Sequence, residues 1–339
     1  MLQLLQHLLA LQWRRAGAAL RETTVTGSRV WYAEFAPLED AARERALSIP
    51  RLPWQRGPAA APALRRPPPT LILLHGLGAS ASSFHAVIPP LREGYRVVVP
   101  DLPGYGWSQP PSGKSFLRFG ELLDAAEAFV ERIAPGGAYL AGNSMGGWIA
   151  AKLAARRPDL ARGIALLNPG GPALNAEDWT DFGRILAGEE ADAAQQLVTR
   201  VFHHPPFGAR FVKGDIRRMM RAPSVLQLVA TLEAEDFLSE EELARVECPS
   251  VLIWGENDRF IPEGCRSFFL EKLPRVRYHP VPDCGHCPQL ECPRRTAEIL
   301  LELPRLRRRH MVKPRGRARA RARPPAPRVT GPKPDVASA

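Results

Sequence analysis

A chain of 339 residues with 45% hydrophobic residues is long enough to bury a large core, as one large domain or two ordinary ones. The formal net charge of +11 comes from the tail, which from Pro304 onward holds 12 Lys and Arg against one acid, Asp335. The remainder holds 34 basic and 34 acidic residues, which excludes a uniformly basic, nucleic-acid-binding body. Five cysteines, odd in number and too sparse for a disulfide-rich domain, favour a reducing, cytoplasmic location.

The first 22 residues predict an amphipathic helix with a basic end. We expect neither a secretory signal nor a membrane span, because polar residues interrupt the leucines and the apolar stretch is short. Two interpretations remain open: the helix packs on the protein's own body, or it lies at the inner face of a membrane as a peripheral contact. Its apolar positions are Leu2, Leu5, Leu8, Leu9 and Trp13.

Residues 23–169 predict the first part of an α/β core. Alternating polar and apolar residues predict a β-hairpin over Thr24–Phe35, and residues 50–69 form a Pro-rich insertion. From Thr70 onward, short apolar runs alternate with helical segments, which predicts a mostly parallel, doubly wound sheet covered on both faces. The predicted strands are Leu71–Leu74, Arg96–Val99, Ala138–Ala141, Ile164–Leu167 and Ser250–Trp254.

Three further segments follow along the chain. Residues 170–246 show helical periodicity without a convincing strand, notably over 193–202 and 224–238, and predict a helical cap over the site. Residues 247–303 return to the α/β pattern. Residues 304–339 form a basic tail that cannot bury enough apolar area to order itself, so we expect it to be disordered and solvated. Binding of nucleic acid or anionic lipid by this tail is the less favoured alternative.

The candidate nucleophile is Ser144, in the pattern Gly142-Asn143-Ser144-Met145-Gly146 between an apolar strand and a helix. In such a turn the serine projects from the sheet, and glycines at Gly142 and Gly146 are needed because side chains do not fit there. The amino end of the following helix then faces the charge that develops during acyl transfer. The pattern alone is short, and its context strengthens it.

A second loop supplies the expected oxyanion hole. His75 and Gly76 follow the apolar strand that precedes them, where such folds place one oxyanion donor. We assign the hole to the backbone N–H groups of Leu77 and Met145. His75 is expected to support the loop rather than to transfer protons.

The acid and the base follow the serine in the chain order Ser, Asp, His. Asp258 lies in the loop after the strand Ser250–Trp254, and His286 follows a last strand predicted over Tyr278–Pro282. Glu256 is the rival acid, and Asp258 is preferred because it lies farther into the loop. The predicted triad is therefore Ser144, Asp258 and His286.

Together these motifs resemble the α/β-hydrolase family over about Thr70–Leu303 and, with the hairpin, from Thr24. The match also includes the segment Asp101–Ser108. The resemblance implies hydrolysis through an acyl-enzyme without a metal or other cofactor. Branches with an aspartate nucleophile, the dehalogenases and epoxide hydrolases, are not expected because Ser144 occupies that place.

Two serine branches share this elbow: the monoacylglycerol lipase group and the hydrolases that cleave carbon–carbon bonds in aromatic ring-fission products. The latter usually have a glycine-proline-rich oxyanion loop and a tryptophan after the catalytic histidine, where this chain has Gly78–Ser82 and Cys287. The resemblance therefore favours carboxylic esters with an apolar, lipid-like acyl chain. Carbon–carbon hydrolysis and a non-catalytic binding protein of the same fold remain the alternatives, and the sequence leaves the oligomeric state open.

The spacing Cys284-Gly285-His286-Cys287 also matches the C-x-x-C motif of thiol–disulfide oxidoreductases. Because these residues coincide with the histidine loop of a larger set of motifs, we do not expect redox chemistry. The cysteines and histidines also lack the further ligands of a structural zinc site.

Overall fold

The computed structural model describes residues 2–38, 67–187, 192–205 and 213–306, and an eight-stranded sheet runs through this part of the chain. The strand order is β1-β2-β4-β3-β5-β6-β7-β8. β1, β2 and β4 pair antiparallel, and the remaining pairs are parallel. The predicted α/β fold with a mostly parallel, doubly wound sheet is confirmed. The strands are β1 (Ala18–Val25), β2 (Ser28–Phe35), β3 (Thr70–Leu74), β4 (Arg96–Pro100), β5 (Ala138–Asn143), β6 (Ala161–Leu167), β7 (Ser250–Gly255) and β8 (Val276–Val281).

Helices cover both faces of the sheet, because successive residues of each central strand point to opposite sides. On β3, Ile72 and Leu74 join one buried cluster, and Leu71 and Leu73 join the other. The helices are α1 (Leu2–Arg15), α2 (Ile88–Leu91), α3 (Phe119–Ile133), α4 (Met145–Arg156), α5 (Ala176–Ala187), α6 (Ala193–Val201), α7 (Lys213–Met220), α8 (Pro223–Ala230), α9 (Glu240–Ala244), α10 (Glu263–Lys272), α11 (Pro288–Glu291) and α12 (Pro293–Glu302).

The amino-terminal helix is shorter than the predicted segment 1–22. It ends at Arg15, and Gly17 has a φ of +86°, a left-handed conformation that glycine adopts without strain and that often terminates helices. β1 then begins at Ala18, which pairs with Phe35 of β2. Residues 18–22, placed with the helix by sequence reasoning, belong to the sheet.

The predicted cap range 170–246 contains helices α5 to α9, and its described part contains no strand. The helix expected over 224–238 ends at Ala230. The last turn is closed by Thr231, whose N–H and hydroxyl both donate to Gln227 O and Leu228 O. Cap residues 188–191 and 206–212 lie outside the described residues. Most of the Pro-rich insertion 50–69 and of the tail 304–339 also lies outside the described residues. Only residues 67–69 of the insertion and 304–306 of the tail are described.

Helix α1 has two different apolar faces. Trp13 is 5% exposed and packs against Trp31 and Phe35, and Gln6 donates to the Ser80 hydroxyl at 3.1 Å. On the other side Leu4, Leu8 and Leu11 are 62%, 54% and 52% exposed. The helix therefore packs on the body, as one interpretation predicts, and it also presents a leucine face to the surroundings.

Candidate active site

Ser144 lies at the sharp turn between β5 and α4, with φ +55° and ψ −119°. The turn is tight enough to need glycine on both sides of the serine: a Cβ at Gly142 would clash with Gly146 O, and one at Gly146 would clash with Leu74 O. Ser144 N donates to Leu167 O at 3.0 Å, which fixes the turn to the next strand. The helix that the sequence predicts after the elbow is α4, which begins at Met145, directly after the serine.

The predicted oxyanion donors flank this serine. Met145 is the first residue of α4, so its N–H has no partner within the helix. A Cβ at Gly76 would lie 3.1 Å from Ser144 Cβ, which brings the Gly76–Ser80 segment, the oxyanion loop, against the elbow. The N–H groups of Met145 and Leu77 therefore belong to the two backbone segments that meet at Ser144.

His75 supports the oxyanion loop through two hydrogen bonds. It is fully buried; its Nδ1 donates to Gly76 O at 2.8 Å and its Nε2 accepts from Leu102 N at 2.9 Å. Accepting at Nε2 requires the neutral ring, and burial lowers the pKa of His75 to about 4. The contacts are those of a structural histidine.

Asp101 holds the residue that directly follows the oxyanion loop. Its Oδ1 accepts from Ala81 N at 2.7 Å and its Oδ2 accepts from Trp107 N at 2.9 Å. Burial raises the pKa of this carboxyl to about 6, although both N–H donors oppose the shift. The segment Asp101–Ser108, singled out as part of the family pattern, thus holds the oxyanion loop in place.

His286 and Asp258 form a buried pair. His286 Nδ1 lies 2.8 Å from Asp258 Oδ2, and the two side chains are 4% and 0% exposed. Asp258 Oδ1 accepts from Phe260 N at 2.7 Å and from Ile261 N at 3.1 Å, which fixes the carboxylate. Glu256, the rival acid, is exposed, so the geometry pairs the histidine with Asp258.

Two asparagines that sequence reasoning did not select complete this arrangement. Asn168, fully buried with φ +41°, donates from Nδ2 to Asp258 Oδ2 at 2.7 Å and accepts from Gly255 N at 3.0 Å. Asn143 donates from Nδ2 to His286 O at 2.9 Å and accepts from Gln289 Nε2 at 3.0 Å. Asn143 directly precedes Ser144, so its bond brings the histidine backbone to the elbow. Asn143 lies within the quoted elbow motif, whereas a single Asn after a strand gives no signal for Asn168.

Apolar side chains of the acid loop and of the cap lie beside the catalytic residues. Phe260 contacts the His286 ring with centroids 5.0 Å apart, and Phe182 of the cap contacts Phe260 at 5.3 Å. A Cβ at Gly78 would lie 3.1 Å from Met219 Sδ, so α7 packs on the oxyanion loop. The cap therefore reaches both sides of the elbow.

The cysteines near the histidine are buried and unpaired. Burial raises the pKa of both the Cys284 and the Cys287 thiols above their usual range, which disfavours the reactive thiolate. The environment is thus opposite to that of a redox-active C-x-x-C pair. Within the described ranges, no group of three or more His, Cys, Asp or Glu side chains is placed to hold a metal ion.

Comparison with known proteins defines the family. The sequence model of the alpha/beta hydrolase fold matches residues 69–293, about two thirds of the chain, and the chain belongs to this family. It is 26% identical over 246 residues to the pimeloyl-[acyl-carrier protein] methyl ester esterase of Aeromonas hydrophila, covering 68% of this chain and 94% of the relative.

Two further similarities bear on chemistry. The 2-hydroxy-6-oxononadienedioate/2-hydroxy-6-oxononatrienedioate hydrolase of a Pseudomonas species is 28% identical over 235 residues, covering 65% of this chain and 82% of the relative. The crystal structure of a bacterial membrane phospholipase A superposes with a TM-score of 0.71 at 27% identity, covering 89% of this chain and 90% of that one. The relatives thus include both ester and carbon–carbon hydrolases.

Proposed function

We propose that this hydrolase is a serine enzyme that cleaves carboxylic esters with an apolar acyl chain through an acyl-enzyme. The observation that carries the proposal is the buried His286–Asp258 pair. Asn143, the residue before Ser144, donates to His286 O and so ties this pair to the elbow. A histidine held by a carboxylate and brought to a serine at a strained turn is the arrangement that nucleophilic acyl transfer requires. The ester relative and the phospholipase structure support this reading.

In this mechanism His286 Nε2 accepts the proton of Ser144 Oγ as the serine attacks the ester carbonyl. The N–H groups of Leu77 and Met145 stabilise the oxyanion, and protonated His286 then gives its proton to the leaving alcohol. Water attacks the acyl-enzyme with His286 again as the base. Asp258 holds Nδ1 protonated, because its Oδ2 accepts from that atom.

An apolar acyl group is supported by the side chains around the base. Phe182, Met219 and Phe260 approach the site from both sides and offer no charged partner to a substrate. The carbon–carbon hydrolases that share this elbow usually carry a tryptophan after the catalytic histidine. Cys287, which occupies the position of their usual tryptophan, is buried against Asn143, with 3.8 Å between Sγ and Oδ1.

The test measures hydrolysis of p-nitrophenyl esters of increasing chain length, of monoacylglycerols and of a ring-fission diketone. Ser144→Ala is expected to lower kcat by about 10⁴-fold or more and to abolish labelling by a fluorophosphonate probe. Ser267→Ala, at an exposed serine on α10, is the matched control and should keep activity. Hydrolysis of the diketone alone would assign carbon–carbon chemistry, and a wild-type protein that neither turns over nor labels would be a non-catalytic binding protein.

We also propose that the leucine face of α1 rests on an anionic lipid bilayer. Leu4, Leu8 and Leu11 follow helical spacing, and the helix ends in Arg14 and Arg15 without an acidic residue. Apolar insertion combined with basic residues is the pattern of an interfacial helix, and lipid-like esters would be present at that surface. No helix in the described part of the chain is long and apolar enough to cross a membrane. The free cysteines support the cytoplasmic face.

This contact is tested by sedimentation with vesicles of phosphatidylcholine containing phosphatidylglycerol. The triple variant Leu4→Gln, Leu8→Gln and Leu11→Gln should reduce the bound fraction about tenfold or more, because it removes the apolar surface that would enter the bilayer. Gln12→Ser on the same helix should not reduce it. Replacing Arg14 and Arg15 by Gln should reduce binding to the anionic vesicles specifically. Equal sedimentation of the leucine variant and the wild type would refute the proposal.

A further inference from the structure

The carboxyl end of the cap helix α6 is bonded to both loops that carry the acid and the base. Val201 O accepts from His286 N at 2.7 Å, and Arg200 O accepts from Arg259 N, next to Asp258, at 3.3 Å. The last carbonyls of a helix have no intrahelical partner, so they need donors from outside. Here the two catalytic loops supply the donors.

Glu291 closes this connection with a single carboxylate. Its Oε1 accepts from Gly285 N at 2.9 Å, and its Oε2 accepts from His203 N at 2.8 Å and from His204 N at 3.0 Å. Bonds from N–H groups to a carboxylate are stronger than neutral ones. The carboxylate therefore joins the residue before His286 to the segment that follows α6.

The two segments also pack without space between them. A Cβ at Gly285 would lie 2.6 Å from Val201 O, 2.7 Å from His203 N and 2.8 Å from Glu291 Oε1. Displacement of Arg200–His204, the cap end, must then displace the backbone beside His286. Close packing of this kind transmits small shifts instead of absorbing them.

We propose that Glu291 is a positioning residue that couples the cap to the catalytic base. An acyl chain that fills the space under the cap holds the cap end in place, and Glu291 transfers this position to the histidine loop. This inference rests on the proposed function, because it assigns His286 the role of base. It predicts that Glu291 contributes to kcat according to how well the acyl chain fits.

The test compares kcat and KM over a p-nitrophenyl ester series from acetate to long chains for wild type, Glu291→Ala and Glu291→Gln. For the preferred ester, Glu291→Ala should lower kcat about 10- to 100-fold with KM changed less than about threefold, because a small misplacement of a catalytic group is costly. For acetate the loss should be at most a few-fold. Glu291→Gln keeps one acceptor oxygen and should recover part of the activity.

Glu298→Gln is the matched control, because Glu298 lies on α12 and pairs only with exposed Arg295 among the described contacts. A folded Glu291→Ala protein whose kcat is unchanged, or falls by the same factor for every ester, would overturn the proposal. A wild type without hydrolysis would instead refute the proposed function.

A measurement on the wild type keeps the test independent of variant folding. Hydrogen exchange at the amides of His203 and His204 is compared after phosphonylation of Ser144 by a long-chain and by a short-chain alkyl phosphonate. The long chain should slow exchange at these amides at least severalfold more than the short chain. Equal exchange in the two adducts would contradict the coupling.

Discussion

The candidate site has two halves that are held in different ways: the oxyanion half, which is the oxyanion loop with the start of α4, and the base half, which is the pair His286 and Asp258 with their loops. The oxyanion half depends on side chains of the core: His75 bonds Gly76 and Leu102, and Asp101 bonds the residue that follows the loop. In the base half, Asp258 is fixed by its own loop and by Asn168, whereas the histidine loop also bonds the cap end. The cap also contacts the oxyanion half, through apolar packing of Met219 on the oxyanion loop and through the Tyr105 hydroxyl, which donates to Ser224 O.

This difference matches what each half has to do. Donors that stabilise an oxyanion work best when they are already in place, because no reorganisation is then needed as charge develops. A base has to move a proton between serine, alcohol and water, and its position can be made to depend on a bound acyl group. The comparison therefore predicts that core substitutions disable either half, whereas cap substitutions act mainly on the base.

The largest effect is expected where the base half is disabled chemically without loss of packing. Asp258→Asn keeps the shape of the side chain but no longer enforces the Nδ1-protonated ring, so kcat should fall about 10⁴-fold. Steady-state kinetics on the preferred ester measure the loss. Glu256→Gln is the control, and a comparable loss in that variant would reassign the acid.

Two buried groups of the oxyanion half, His75 and Asp101, should make the free energy of unfolding depend on pH. The folded pKa of His75, about 4, lies below its ordinary 6.5, so stability is lost as the pH falls through this window, by up to about 3 kcal/mol. The folded pKa of Asp101, about 6, lies above its ordinary 3.8, so stability is lost as the pH rises from 3.8 through 6, by a similar amount. The two contributions oppose each other in the wild type.

Single substitutions separate the contributions of His75 and Asp101 to the pH dependence of stability. Urea unfolding of Asp101→Asn between pH 4 and 7 should show stability rising more steeply with pH than in the wild type, and His75→Gln should show the opposite change. His85→Gln, at an exposed histidine, serves as the control. Identical pH slopes for all four proteins would mean that the two buried groups do not keep these protonation states.

The sequence was sufficient for those parts of the molecule that local patterns determine. Apolar runs predicted the parallel strands, and the glycines around Ser144 predicted a turn that has no space for side chains. Asn168 and Glu291 were not predicted, because their roles depend on contacts that only the fold creates. Asn168 bonds Asp258, 90 residues away, and Glu291 bonds Gly285 and His203, 6 and 88 residues away. The single apolar stripe assigned to α1 was also incomplete, since periodicity identifies apolar positions but not which of them the body covers.

Asn168 tests how far the base half depends on the core. Asn168→Ala removes the second bond to Asp258 Oδ2 and should lower kcat about tenfold with little change in KM, because the carboxylate loses an orienting donor. Asn168→Asp should be worse than alanine, since it places a carboxylate against Asp258. If Asn168→Asp is as active as wild type, the hydrogen bond does not orient the acid. Asn175→Ser, at an exposed asparagine in the cap, is the control, because serine keeps an oxygen that can accept from Asp178 N at the start of α5.

The smallest effect is expected where the cap meets the oxyanion half. Met219→Ala removes apolar contact with the oxyanion loop but leaves His75 and Asp101 to hold it, so kcat should change less than about twofold. KM for long-chain esters should rise about two- to fivefold, because part of the apolar surface under the cap is lost. The kcat and KM values are compared with those of Glu291→Ala, which is expected to act on kcat. A large fall in kcat for Met219→Ala would show that the cap sets the oxyanion half as well, and the proposed division between the halves would then fail.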